Sequence, residues 1–187
     1  DISAGKLDTS GNFTSVPSTT YENNVATRLA SIKKKYVPNN GSKFTEEFGY
    51  CRGNRGFAAK VFYMLYDIKI KPAVDFVNQY EISQDDNLKT IGQLVDTSVT
   101  ISAVKTLLSK AKVGDLLSCH GKKGPHLMII TSVGTNGITV YDCGSIYNGT
   151  TEANNVIREY EFTYGSLAEN FSTSRKVTYN TATDYTI

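Results

Sequence analysis

The chain has 187 residues, 40% of them hydrophobic, which is enough for one substantial core and too few for two full domains. A formal charge of +2 excludes the electrostatic footprint of a nucleic-acid binder, and no apolar run nears the roughly 20 residues needed to span a bilayer. Three cysteines are too few for a disulfide framework, and their odd number leaves at least one thiol outside any intrachain pair.

Residues 1–22, rich in Ser and Thr and without sustained period, read as a surface arm or linker, and 23–187 as a single domain. An opening at Asp1 with no apolar leader suits an extracellular or cell-surface protein whose signal peptide has been removed. Val25, Leu29, Ile32 and Tyr36 recur at helical spacing with lysines between them, so an amphipathic helix is predicted that stops before Pro38. After the Asn39 to Ser42 loop a second helix follows, apolar on nearly all sides through Phe57, Val61, Phe62, Met64, Leu65 and Tyr66, and therefore central. Between 68 and 98 only a short helix around 72–80 is read, among variable connections. Val104, Leu107, Leu108 and Ala111 predict a third helix ending near Gly114.

Beyond Gly114 the period changes. Three short β-rich runs, at 115–118, 126–131 and 138–142, are separated by Gly-containing turns, and Thr135-Asn136-Gly137 is a hairpin signal because Asn and Gly tolerate positive φ. Strands at 157–162 and 175–179 extend this antiparallel meander. Helices first and sheet second make the fold class α+β.

Three residues could carry chemistry together. Cys51 ends the loop before the central helix, where unpaired N–H groups and the helix dipole favour a thiolate, with Arg52 and Arg55 pushing the same way. His126 opens the second strand of the meander and is one of only two histidines, so a general base has few other sources. Asp142 ends the next strand, and a hairpin runs out and back, so His126 and Asp142 lie at the same end of the sheet. A carboxylate there would orient the imidazole. Taken singly, each has a plainer reading as a buried thiol, a core histidine or a strand-end aspartate.

The order of a cysteine before a helix, Val113-Gly114-Asp115-Leu116-Leu117, then His126-Leu127-Met128-Ile129-Ile130, then Gly137-Ile138-Thr139-Val140-Tyr141-Asp142, resembles the CHAP amidohydrolases of bacteria and their NlpC-type relatives over roughly residues 44–145. That resemblance implies a papain-like fold, with N-terminal helices packed on a C-terminal antiparallel sheet, and cysteine-peptidase or amidase chemistry on peptidoglycan peptides with no cofactor. Cys51 would attack as thiolate, its own N–H serving the oxyanion. His126 would move the proton and Asp142 would hold His126. Arg52, Asn54, Arg55 and Tyr141 would contact the substrate. The family carries its nucleophile two residues before a Gly-Phe-Ala unit. Here Gly56-Phe57-Ala58 is preceded at that distance by Asn54, with Cys51 three residues earlier. Two registers are open: an extended loop that returns Cys51 to the site, favoured by the order of Cys51, His126 and Asp142, or an Asn54 replacement that leaves a cell-wall-binding module without cleavage.

Other groupings rank lower. Cys119, His120, His126 and Cys143 could form a zinc site, but adjacent Cys119 and His120 are not a usual ligand pair. A Cys119–Cys143 disulfide would leave Cys51 free to react. Lys122 and Lys123 with Arg52 and Arg55 could rim a site for an acidic peptide, although solvated loop charges explain them better, and Tyr141, Tyr147, Tyr160 and Tyr164 could line a groove, although tyrosine on half-buried strands is ordinary packing too.

Overall fold

The computed structural model describes residues 18–49, 51–70, 88–121, 124–144, 155–170 and 176–182, with the side chains of 18–22, 120–121, 124–125, 170 and 176–182 outside that description. Four helices, α1 (Ser18–Lys35), α2 (Gly53–Tyr66), α3 (Ile101–Leu108) and α4 (Tyr164–Asn170), accompany six strands: β1 (Leu88–Val95), β2 (Leu116–Gly121), β3 (Gly124–Val133), β4 (Gly137–Cys143), β5 (Ile157–Thr163) and β6 (Lys176–Ala182). The class is α+β with an antiparallel sheet, ordered β1-β6-β2-β3-β4-β5.

The meander from β2 to β5 stands as the sequence predicts, and every pairing in it is antiparallel. Three expectations change. The helix read through Val25, Leu29, Ile32 and Tyr36 begins earlier, at Ser18, so residues 18–22, read as part of the arm or linker, are helical and continuous with α1. The strand expected at 175–179 does not extend the meander at its end but inserts as β6 between β1 and β2. Its neighbour β1 is a strand where variable connections were expected, while the helix expected around 72–80 lies outside the described residues.

The sheet separates two cores. On one face α1 and α2 pack with Leu116, Leu127, Ile129, Tyr141 and Cys143. On the other face α3 and the α4 segment pack with Leu117, Cys119, Met128, Ile130, Ile138 and Val140. The helices therefore cover both sides of the sheet. Strand alternation produces this division: successive residues of β2 and β3 enter opposite cores, as the period of two requires.

Local chemistry explains the elements that position the site. Val25, Leu29, Ile32 and Tyr36 are all buried, so the stripe read along α1 is its core face. Along α2, Phe57 is fully buried and meets Tyr36, Phe44 and Tyr141 edge-on, with ring centroids 5.9, 5.3 and 5.0 Å away. Burying such a ring contributes about 1.5–3 kcal/mol, and the edge-on contacts add to it. That packing fixes the axis of α2 against β3 and β4. The helix ends at Asp67, whose left-handed backbone (φ 57°) lets its N–H reach the Tyr63 carbonyl at 2.7 Å.

The β3–β4 hairpin forms where expected, for a different reason. Neither Asn136 nor Gly137 has positive φ. Gly137 is required instead by close approach, because a Cβ there would lie 2.6 Å from the Phe162 carbonyl oxygen on β5. No helix among the described residues is long and apolar enough to cross a membrane.

Candidate functional site

His126 and Asp142 are brought together as the hairpin argument expects. Both are buried, at 2% and 0% exposure, and the ring's Nε2 bonds Oδ2 of Asp142. Strand alternation places them on the same face: His126 precedes Met128 and Ile130 by even steps on β3, and Asp142 follows Ile138 and Val140 by even steps on β4.

The carboxylate has further donors: Arg158, which the sequence reading did not single out, and Tyr160, named there only among the tyrosines that could line a groove. Arg158, paired with Asp142 across β4 and β5, places Nη2 3.2 Å from Oδ1 and 3.3 Å from Oδ2. The Tyr160 hydroxyl donates to Oδ2 at 3.0 Å, and the Arg158 guanidinium lies over the Tyr160 ring, 4.9 Å from its centroid. A fully buried carboxyl group needs hydrogen-bond donors, and these two residues supply them. Arg158 and Tyr160 were findable: they alternate with Phe162 on a strand whose Phe162 end enters the core, so a cation and a hydroxyl on that face point toward something polar.

The other ring nitrogen meets Asn54. The carboxamide Nδ2 is 3.3 Å from Nδ1 of His126, and Oδ1 of Asn54 is buried without a hydrogen-bond partner. Asn54 is the second residue of α2, so the first turn of that helix delivers it to the imidazole.

Cys51 is placed differently from the leading expectation. It lies two residues before the first helical residue, outside the first turn. Its N–H bonds the Phe48 carbonyl at 3.0 Å and its carbonyl accepts from Phe48 N at 2.9 Å, so that N–H is not open to serve an oxyanion. No hydrogen bond joins Cys51 to His126 among the described residues. Burial pushes its thiol above the ordinary range, and the nearby Arg55 cation offsets this only in part, while Glu47 adds to the rise. The thiolate bias expected from Arg52 is absent as well: Arg52 is largely exposed and pairs with Glu47 at 3.0 Å. The close fit of this segment fixes Gly56, since a Cβ there would stand 2.3 Å from the Cys51 carbonyl oxygen.

Tyr141 faces away from the site. It is fully buried in the core of α1 and α2, with its hydroxyl donating to the Tyr36 carbonyl, and is not a surface for substrate. Tyr164 likewise bonds the Gly134 carbonyl at 3.0 Å, whereas Tyr147, Lys122 and Lys123 lie outside the described residues. The three cysteines are free, and Cys119 and Cys143 enter opposite cores, so they share neither a disulfide nor a zinc ion. Among the described residues no three His, Cys, Asp or Glu side chains stand together as a metal site.

No protein-family model, curated protein or solved structure matches the chain.

Proposed function

We propose that this chain is a papain-like domain of the cell exterior that binds amide-bearing ligands, cell-wall peptides foremost, without cutting them. The observation that carries this reading is the contact between Asn54 Nδ2 and His126 Nδ1 at 3.3 Å. In a thiol hydrolase the ring nitrogen opposite the carboxylate faces the attacking sulfur, so that the imidazole can remove its proton. Here that nitrogen faces a carboxamide, which has no nucleophilic form near neutral pH. The base and its orienting carboxylate are retained, and the attacking atom is missing from the position they address.

The resemblance over residues 44–145 supports the choice of ligand, and the Gly56-Phe57-Ala58 spacing agrees with the geometry in aligning Asn54 with the family's nucleophile. Cys51 offers no second route, since its sulfur makes no hydrogen bond to the imidazole and its thiol is held protonated by burial.

The test is to incubate the chain with purified peptidoglycan sacculi, measuring co-sedimentation and the release of new amino groups in parallel. Co-sedimentation without release is expected. Release that disappears in Cys51→Ala would restore the hydrolase reading, and absence of both would end the cell-wall assignment.

A further inference from the structure

Asparagine followed by glycine is a step at which a protein chain readily modifies itself, because a glycine carries no Cβ to obstruct attack of its nitrogen on the asparagine side-chain carbon. The sequence holds three such steps, Asn40-Gly41, Asn136-Gly137 and Asn148-Gly149, the last outside the described residues. The fold treats the first two differently.

Asn40 and Gly41 are both exposed, in the loop after α1. Gly41 has φ 84°, a Cβ there would meet nothing within 4 Å, and its N–H donates to no group among the described residues. Oδ1 of Asn40 accepts from the Ser42 N–H at 2.9 Å, an Asx turn. The ring closed by that bond contains Cγ, Cβ, Cα and C of Asn40 and N of Gly41, the atoms of a succinimide. The same bond places a donor on the oxygen that turns negative when Cγ is attacked. On either side the loop is tied to the edge strand β5. Asn39 N–H bonds the Ile157 carbonyl at 3.0 Å, the Asn39 side chain bonds both the N–H and the carbonyl of Glu159, and Ile157 N–H bonds the Ser42 carbonyl at 2.8 Å.

Asn136-Gly137 is held shut. The Asn136 carbonyl accepts from Tyr164 N–H at 3.0 Å, and Gly137 is buried against the Phe162 carbonyl. Turning that peptide to bring Cγ onto the Gly137 nitrogen would break the pairing of β4 with β5.

We propose that Asn40 is a modification site at which the folded chain deamidates itself, with water as the only other reactant. The Gly41 nitrogen gives its proton to hydroxide and bonds to Cγ of Asn40. The Cγ–Nδ2 bond breaks, and the nitrogen leaves as ammonia with a proton from solvent. Water then opens the succinimide at either carbonyl, so the balance is water in and ammonia out, with no change of oxidation state. One opening yields aspartate. The other yields isoaspartate, whose main chain runs through the former side chain and is longer by one carbon between the Asn39 and Ser42 anchors. That product loosens the tie of the loop to β5, and it is the chemical class on which isoaspartyl carboxyl methyltransferases act.

The full chain is kept at mildly alkaline pH with and without urea and sampled over days by peptide mass spectrometry, with isoaspartyl methyltransferase and labelled S-adenosylmethionine marking isoaspartate. Asn40 should convert in the folded chain at least as fast as in urea, while Asn136 converts several-fold more slowly folded than unfolded. A slower Asn40 in the folded chain, or an Asn136 that folding does not protect, would overturn the assignment. Amide hydrogen exchange reads the consequence: the aged chain should lose protection at Ile157 and Glu159, and Asn40→Gln aged alongside should keep it. Protection retained in the isoaspartate form, or lost equally in Asn40→Gln, would overturn the link between Asn40 and the β5 edge.

Discussion

Asn54 and His126 meet where the first turn of α2 passes the start of β3, with the Asn54 amide nitrogen 3.3 Å from Nδ1 of the imidazole. A sulfur introduced there would face the ring nitrogen that now meets the amide. In Asn54→Cys the thiol proton can pass to Nδ1, and the helix N-terminus favours the resulting thiolate. The introduced thiol should be alkylated rapidly well below the ordinary thiol pKa of about 8.5, and the advantage should vanish when His126→Ala is added. Peptide mass spectrometry after timed iodoacetamide quenching reads each site separately. An introduced thiol no faster than free cysteine would mean that Asn54 does not occupy a nucleophile position.

Cys51 should behave in the opposite way. It is 7% exposed, and burial outweighs the pull of Arg55 on its thiol. Its alkylation at neutral pH should be slow, should rise only above the ordinary thiol range, and should not respond to His126→Ala because no hydrogen bond links the two residues. Cys51→Ser should leave sacculus binding intact. Fast, His126-dependent labelling of Cys51 in the unmodified chain would reverse the placement argued above.

How much of this was legible in the sequence depends on where each signal is stored. The stripe Val25, Leu29, Ile32, Tyr36 and the alternation through β3 are local, so α1 and the meander could be read directly, as could the meeting of His126 and Asp142, which follows from hairpin topology. Asn54 was visible as the residue two before Gly56-Phe57, but which of it and Cys51 lies beside His126 depends on where the helix starts, and only in three dimensions does α2 begin at Gly53 with Asn54 against the imidazole. β1 was missed because its residues are mostly exposed or half-buried, with Ile91 and Val95 outward, and its partner β6 lies far along the chain. A strand held by so distant a pairing leaves little periodic trace in its own residues. Arg158 carried only the weak signal of its alternation with Phe162 until the β4–β5 register set it against Asp142.

Gly56 offers a stability test whose sign is not the usual one. Replacing glycine by alanine inside a helix ordinarily gains about 1 kcal/mol. At Gly56 the new Cβ would stand 2.3 Å from the Cys51 carbonyl oxygen and 2.9 Å from its carbon, both backbone atoms tied by the Phe48 pairing. Overpacking of this kind costs about 1–3 kcal/mol, so Gly56→Ala should lower the melting temperature by several degrees where the propensity scale predicts a rise. Relief of the clash moves the segment entering α2, so the Asn54 and His126 NMR signals should shift with it. A melting temperature equal to or above that of the unmodified chain would show that residues 51–56 yield more easily than their packing implies.

Alkaline pH should unfold the protein through groups that no site uses. Cys119 and Cys143 are buried on opposite sides of the sheet, and Tyr141 is buried beside α1. Burial pushes all three well above their ordinary ranges, with the Asp142 charge adding to the rise at Cys143. Below about pH 8.5, the ordinary thiol value, each is protonated in both the folded and the unfolded chain and the stability from keeping it neutral is fully present. Above that pH the unfolded chain releases thiol protons that the folded chain retains, so stability falls as pH rises, by about 1.4 kcal/mol per pH unit for each thiol. Tyr141 joins above about pH 10. Urea unfolding from pH 8 to pH 10 should show the midpoint falling steadily, and Cys119→Ala, whatever its own cost to the core, should flatten the slope by about half of the part the two thiols contribute. A slope unchanged by that substitution would place the alkaline sensitivity elsewhere in the chain.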